Sequence, residues 1–93
     1  MLKFEWDEAK AKANAAKHGV SFTDAKEAFR DPFALELIDD HFDYSEERVV
    51  LIAMTGLGCL TVVHVQRGEV SRIISARPAT RTEEDAYFEA QSD

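Results

Sequence analysis

The chain has 93 residues, 45% of them hydrophobic, with a formal net charge of −7 and one cysteine. Such a length holds one small domain with a modest core, and a single thiol excludes an intrachain disulfide framework. No apolar run approaches the ~18 residues that span a bilayer, so the expectation is one soluble domain over residues 1–93, without a signal peptide, in a reducing cytoplasm.

The charge is unevenly spread. Residues 1–47 carry 6 Lys/Arg against 12 Asp/Glu, residues 48–81 carry 5 against 1, and residues 82–93 carry 5 acids and no cation. The acidic total weakens long-range attraction to nucleic acid, while the basic middle leaves room for a local anion site.

In chain order, Phe4-Glu5-Trp6 alternates like a short strand, and Asp7 is a good N-cap for a helix from Glu8 to His18 that Gly19 stops. Ser21-x-x-Asp24 opens a second helix through Phe22, Ala25, Ala28 and Phe29, closed by Asp31-Pro32. Leu35 and Leu37 suggest a short strand. The acidic stretch from Asp39 to Glu47 follows; its Asp39-Asp40-His41-x-Asp43 lacks the glycine and terminal glutamate of a calcium loop and reads as a solvated connector. Arg48 to Met54 and Cys59 to Gln66 are rich in Val, Ile and Leu, separated by turn residues at Thr55-Gly56-Leu57-Gly58 and followed by Arg67-Gly68. Cys59 is read as a small buried hydrophobe.

Val70 to Arg77 alternates two side-chain sets if the strand is regular: Val70, Arg72, Ile74 and Ala76 on one face, Ser71, Ile73, Ser75 and Arg77 on the other. Each face then holds apolar groups and one arginine. Pro78 favours ending the strand, and Thr80-x-x-Glu83 is a capping box for a last helix from about Arg81 to Gln91. A two-residue turn at Arg67-Gly68 would set His64 opposite Ser71, so that His64, Ser71, Ser75 and Arg77 share one face. The order of elements implies an α+β domain: an antiparallel sheet with two N-terminal helices and a C-terminal helix packed on one face.

Phe4-Glu5-Trp6-Asp7-Glu8, Asn14, Lys17-His18-Gly19-Val20-Ser21-Phe22, Phe29-Arg30-Asp31-Pro32, and Arg72-Ile73-Ile74-Ser75-Ala76-Arg77 with Ala79, Glu83 and Tyr87 resemble the BrnT toxin family in order and spacing. That resemblance implies a RelE-like fold, a ribonuclease activity that arrests translation, and neutralisation by a BrnA-type antitoxin with a ribbon-helix-helix DNA-binding part, so that operator DNA is reached only through the antitoxin. The chain departs from the family where Pro78 interrupts the basic strand and where the last helix is acidic.

Cleaving RNA without a metal or cofactor needs a base for the 2′-hydroxyl, cations for the phosphorane and an acid for the leaving oxygen. Arg77 and Arg72 are the leading phosphate ligands, with Arg81 and Arg48 behind them. On strict alternation Arg72 and Arg77 face opposite ways unless the strand twists or bulges, and Arg72 has an acidic ion-pair partner as its ordinary alternative. His64 is the natural acid/base candidate because it titrates near neutrality; Glu5, Lys17 and Tyr87 stay open for the same role. Trp6 is a base-stacking or core residue, and Lys17 a further RNA contact. Two functions therefore stand: a metal-independent endoribonuclease toxin, or a toxin-fold binding module acting mainly as antitoxin partner and co-repressor.

Overall fold

The computed structural model describes residues 2–39 and 47–92, so most of the acidic connector, including Asp40, His41 and Asp43, lies outside the described residues. Strand β1 (Lys3–Glu5) leads into helix α1 (Glu8–His18) and then α2 (Phe22–Ala25), which runs on as a 3-10 turn over Lys26–Arg30. Strands β2 (Leu35–Asp39), β3 (Arg48–Thr55), β4 (Gly58–Arg67) and β5 (Val70–Pro78) follow, and helix α3 (Arg81–Glu89) closes the described chain.

The expected caps form. The Asp7 carboxylate accepts from Lys10 N, Gly19 ends α1 at φ 72°, and the Ser21 hydroxyl accepts from Asp24 N. At the start of α3, Thr80 and Glu83 make a reciprocal capping box. These bonds satisfy backbone groups that a helix end otherwise leaves to water.

The five strands form one mixed sheet in the order β1-β5-β4-β3-β2. Strands β2 to β5 are an antiparallel meander, but β1 joins parallel to β5, which corrects the expectation of a wholly antiparallel sheet. A second correction concerns the layers. The main core lies between the sheet and the two N-terminal helical segments, with Phe22, Ala25, Ala28, Leu51, Ala53, Leu60, Val62, Ile73 and Ala76 buried in it. A smaller cluster of Ile52, Cys59 and Tyr87 lies on the opposite face, so α3 covers one end of that face instead of joining the other helices.

Strand β5 is irregular. His64 pairs with Ile73 while its neighbour Val63 pairs with Ser75, leaving Ile74 as the extra residue of a β-bulge. Alternation therefore changes phase at Ile74. Ser71, Ile73 and Ala76 are buried at 1%, 2% and 0% exposure, a spacing that no regular strand could place on one face.

Helix α1 buries only one residue fully, and that residue is polar. The Asn14 amide donates to Val20 O at 3.1 Å and to Ala76 O at 2.8 Å, and its oxygen accepts from Ala76 N at 3.2 Å. Strand β1 pairs only with Val70 to Arg72, so the edge of β5 at Ala76 is completed by a side-chain amide that imitates a neighbouring strand. Asn14→Ala would leave two buried carbonyls and an N–H unpaired and is expected to cost about 3 kcal/mol of unfolding free energy. Asn14→Asp should also destabilise, since it keeps the acceptor but loses both donors; urea unfolding of the two variants measures this.

Candidate functional site

Among the described residues, α3 covers one end of the sheet face opposite α1 and α2, and the pairing registers turn that face into a grid. One row crosses all five strands as Glu5, Arg72, Val65, Arg48 and Asp39. The row on one side of it holds Lys3, Val70 and Arg67; the row on the other side holds Ser75, Val63, Val50 and Leu37. Beyond these comes Arg77 with Thr61, Ile52 and Leu35, at the border that α3 occupies. Four of the five cations in residues 48–81 thus share one face.

The bulge is what brings Arg72 and Arg77 together on that face. They stand two rows apart, roughly 13 Å along the strand. Val65, between Arg72 and Arg48 on this face, is only 5% exposed.

Each of the two leading arginines is held by a carboxylate. Arg72 Nη1 donates to Glu5 Oε2 at 2.8 Å, and Arg67 Nη1 approaches the same oxygen at 3.7 Å. The ordinary alternative for Arg72, an acidic partner, is therefore present, supplied by the adjacent parallel strand. Arg77 makes a two-point pair with Glu83, at 2.7 Å and 2.8 Å, and Glu83 also accepts from Thr61 Oγ1 and Thr80 N. The hydrogen bond from Arg77, outweighing burial, holds the Glu83 carboxyl down at about 2, and the same bond raises Arg77 further above its usual range. Two of the five guanidinium N–H groups of Arg77 face Glu83 and a third reaches Pro78 O at 3.4 Å, and the side chain as a whole is 35% exposed.

The other sequence candidates lie elsewhere. His64 faces the helix side with Leu60 and Val62, 6% exposed, its ring edge-on to Phe29 at 4.8 Å. Burial lowers its pKa, against a smaller opposing pull from Glu36, and Nδ1 has no hydrogen-bond partner among the described residues. The expected common face of His64 and Arg77 is overturned by the register: the hairpin turns at Gly68-Glu69, His64 stands opposite Ile73, and the bulge sends Arg77 to the other side. Trp6 also belongs to the helix side, its ring edge-on to Phe22 and its Nε1–H donating to Glu8 at 3.0 Å. Lys17 is exposed in the last turn of α1, on the layer that covers that same side. Arg81 projects from the first turn of α3, its side chain 89% exposed and 3.5 Å from Asp85.

A cleft of about 500 Å³ lies on the helix side, lined by Leu2, Phe4, Thr23, Lys26, Glu27 and Arg30. It holds none of the sequence candidates. Tyr87 is buried in the small cluster, and its hydroxyl donates to Asp31 Oδ2 at 2.5 Å. Asp31 also accepts from Phe33 N and Met54 N, and these three bonds outweigh the upward push of burial to lower its pKa.

Sequence reasoning passed over Arg67, read only as a turn residue, and over Glu83 as the partner of Arg77. The capping-box spacing carried the second signal, because it fixes Glu83 beside the end of β5. A family model described as "Ribonuclease toxin, BrnT, of type II toxin-antitoxin system" matches residues 6–83. No curated protein matches the chain.

The Glu83 pair makes stability depend on pH. A carboxyl whose folded value is about 2, against an ordinary 4.5, stabilises the fold above the ordinary value and loses that contribution as pH falls through about 2. Glu83→Gln is expected to cost about 2 kcal/mol at pH 7. In urea unfolding, the gap between parent and variant should close between pH 4.5 and 2; a gap constant with pH would contradict the assignment.

Proposed function

The chain belongs to the BrnT family of ribonuclease toxins of type II toxin-antitoxin systems, and from that membership we propose that it is a metal-independent endoribonuclease of RelE-like fold whose RNA face is the arginine grid. The observation that supports this most is the cross-strand row of Glu5, Arg72, Val65 and Arg48, which sets a carboxylate and two permanent cations on one face of the sheet. Arg72 and Arg48 would take one phosphate region of an extended strand, and Arg77 the next. Planar guanidinium forks suit phosphate oxygens and supply charge stabilisation where a phosphorane develops.

Of the acid/base candidates, Glu5 alone stands on this face beside an arginine; His64 and Tyr87 are buried and Lys17 is on the far layer. In the proposed reaction Glu5 accepts the 2′-hydroxyl proton, the 2′-oxygen attacks the adjacent phosphorus, and the bond to the 5′-oxygen breaks. The products are a 2′,3′-cyclic phosphate and a 5′-hydroxyl, the latter protonated from water. Arg81, at the edge of the grid, would extend the contact along the strand. Translation arrest in the cytoplasm follows from RNA loss, and a BrnA-like ribbon-helix-helix antitoxin would silence the enzyme and link it to operator DNA.

A second reading has its own observation. Glu5 and Glu83 already occupy the two leading arginines, which favours a binding module whose anion site is filled from within.

Cleavage of a mixed-sequence RNA in EDTA separates the two. The enzyme reading predicts cleavage by the parent and losses of about 10²-fold or more in Arg72→Ala and Glu5→Gln, with Arg77→Ala also impaired after its folding is verified by circular dichroism. An inert parent, both alone and on translating ribosomes, would establish the binding module.

A further inference from the structure

Among the described residues, β2 is an edge strand: β3 pairs with one side of it and no strand with the other. Its charges, Glu36 and Asp39, are both acidic, and apolar groups stand exposed between them. Leu37 is 46% exposed on the arginine face and Ile38 53% exposed on the helix face, so apolar side chains project from both surfaces of the same edge.

More apolar surface gathers around the start of this strand. Phe33, Met54 and Phe88 are exposed, and one carboxylate ties the backbones of Phe33 and Met54 to the side chain of Tyr87, the neighbour of Phe88. Asp31 accepts from Phe33 N at 2.9 Å and from Met54 N at 2.8 Å, and it accepts from the hydroxyl of Tyr87, whose ring meets that of Phe88 edge-on at 5.2 Å. The exposed rim is thus held in place by a hydrogen-bond hub, at the end of the sheet where β2 begins. Contiguous apolar surface of this kind marks a protein interface.

The charge around the edge indicates what fits it. From Asp31 to Glu47 the sequence contains no Lys or Arg, while Glu36, Asp39 and Glu47 lie on or beside β2. A second copy of this edge would bring like charges together.

We infer that β2 is the docking edge for the antitoxin, which adds an extended segment of alternating apolar and basic side chains to the sheet. This rests on the family reading that an antitoxin accompanies the chain, and it is independent of whether the arginine grid cleaves RNA. Main-chain hydrogen bonds along Leu35–Asp39 give affinity, the Phe33, Leu37 and Met54 rim receives the apolar side chains, and Glu36 meets a cation. The inhibitor is thereby anchored at the sheet border, beside the grid.

The test uses the full chain co-expressed with the small protein encoded by the adjacent gene. The alternate backbone amides of β2 that point away from β3 should exchange at least about tenfold more slowly in the complex than in the free toxin. Ile38→Lys and Glu36→Lys should each weaken association about tenfold or more, while thermal stability and RNA cleavage of the free variants match the parent. An adjacent-gene product that does not bind, or one that binds with β2 amides unchanged, overturns the inference. So does a toxin homodimer in light scattering that Ile38→Lys abolishes, because the occupant is then a second copy. Failure of the enzyme reading shows separately, as an uncleaved RNA with the β2 protection intact.

Discussion

The extra residue in β5 decides which side of the sheet is core and which is cationic. Without a change of phase at Ile74, Ala76 would share a face with Arg72, and Arg77 would follow Ile73 toward the helices. A guanidinium buried there would lose its hydration among apolar side chains. With the bulge, Ile73 and Ala76 both enter the main core, and Arg72 and Arg77 both leave it. Asn14 then fixes the result, since its amide engages both backbone groups of Ala76, two residues beyond the bulge. Helix α1, which has little apolar surface of its own, is positioned by the same bonds.

The carboxylates on the arginine face serve two purposes. Each keeps a cation at a defined place on an otherwise acidic protein, and each limits how strongly that cation attracts distant anions. Glu83 is the more structural of the two, because it also closes the capping box and accepts from Thr61, tying α3 to the end of the sheet. Glu5 is the more exposed, and it lies between Arg72 and Arg67. An anionic strand would compete with these carboxylates for the same donors. Association with RNA should therefore be short-range and sensitive to salt.

Much of this was legible in the residues. Asp7, Gly19, Ser21 and the Thr80/Glu83 pair mark helix ends whose chemistry is local, and the Val/Ile-rich runs mark β3, β4 and β5. What failed was long-range. A sequence does not show that β1 will lie parallel to β5, nor that α3 will close the far face, because both depend on where the chain returns after β4. The hairpin register failed for a local reason. Gly68 adopts φ 60°, which suits the first central position of a two-residue turn, so the turn is Gly68-Glu69 and the pairs from Gln66 to His64 move by two residues. The bulge did leave a trace: regular alternation put one arginine among apolar residues on each face, and that conflict is what the extra residue resolves. His64 looked functional because histidine titrates near neutrality, yet burial against Phe29 makes it part of the core.

The assignment of the arginine grid as the RNA face can be read from side-chain NMR. With Arg Nε–H groups observed during titration with a short RNA whose 2′-hydroxyls are replaced by hydrogen, so that no cleavage occurs, Arg72, Arg77 and Arg48 should shift together with one saturation curve. The indole N–H of Trp6 should stay fixed. Shifts confined to Trp6 and the amides around Lys17, with the three arginines unmoved, would place RNA on the helix side and contradict the account.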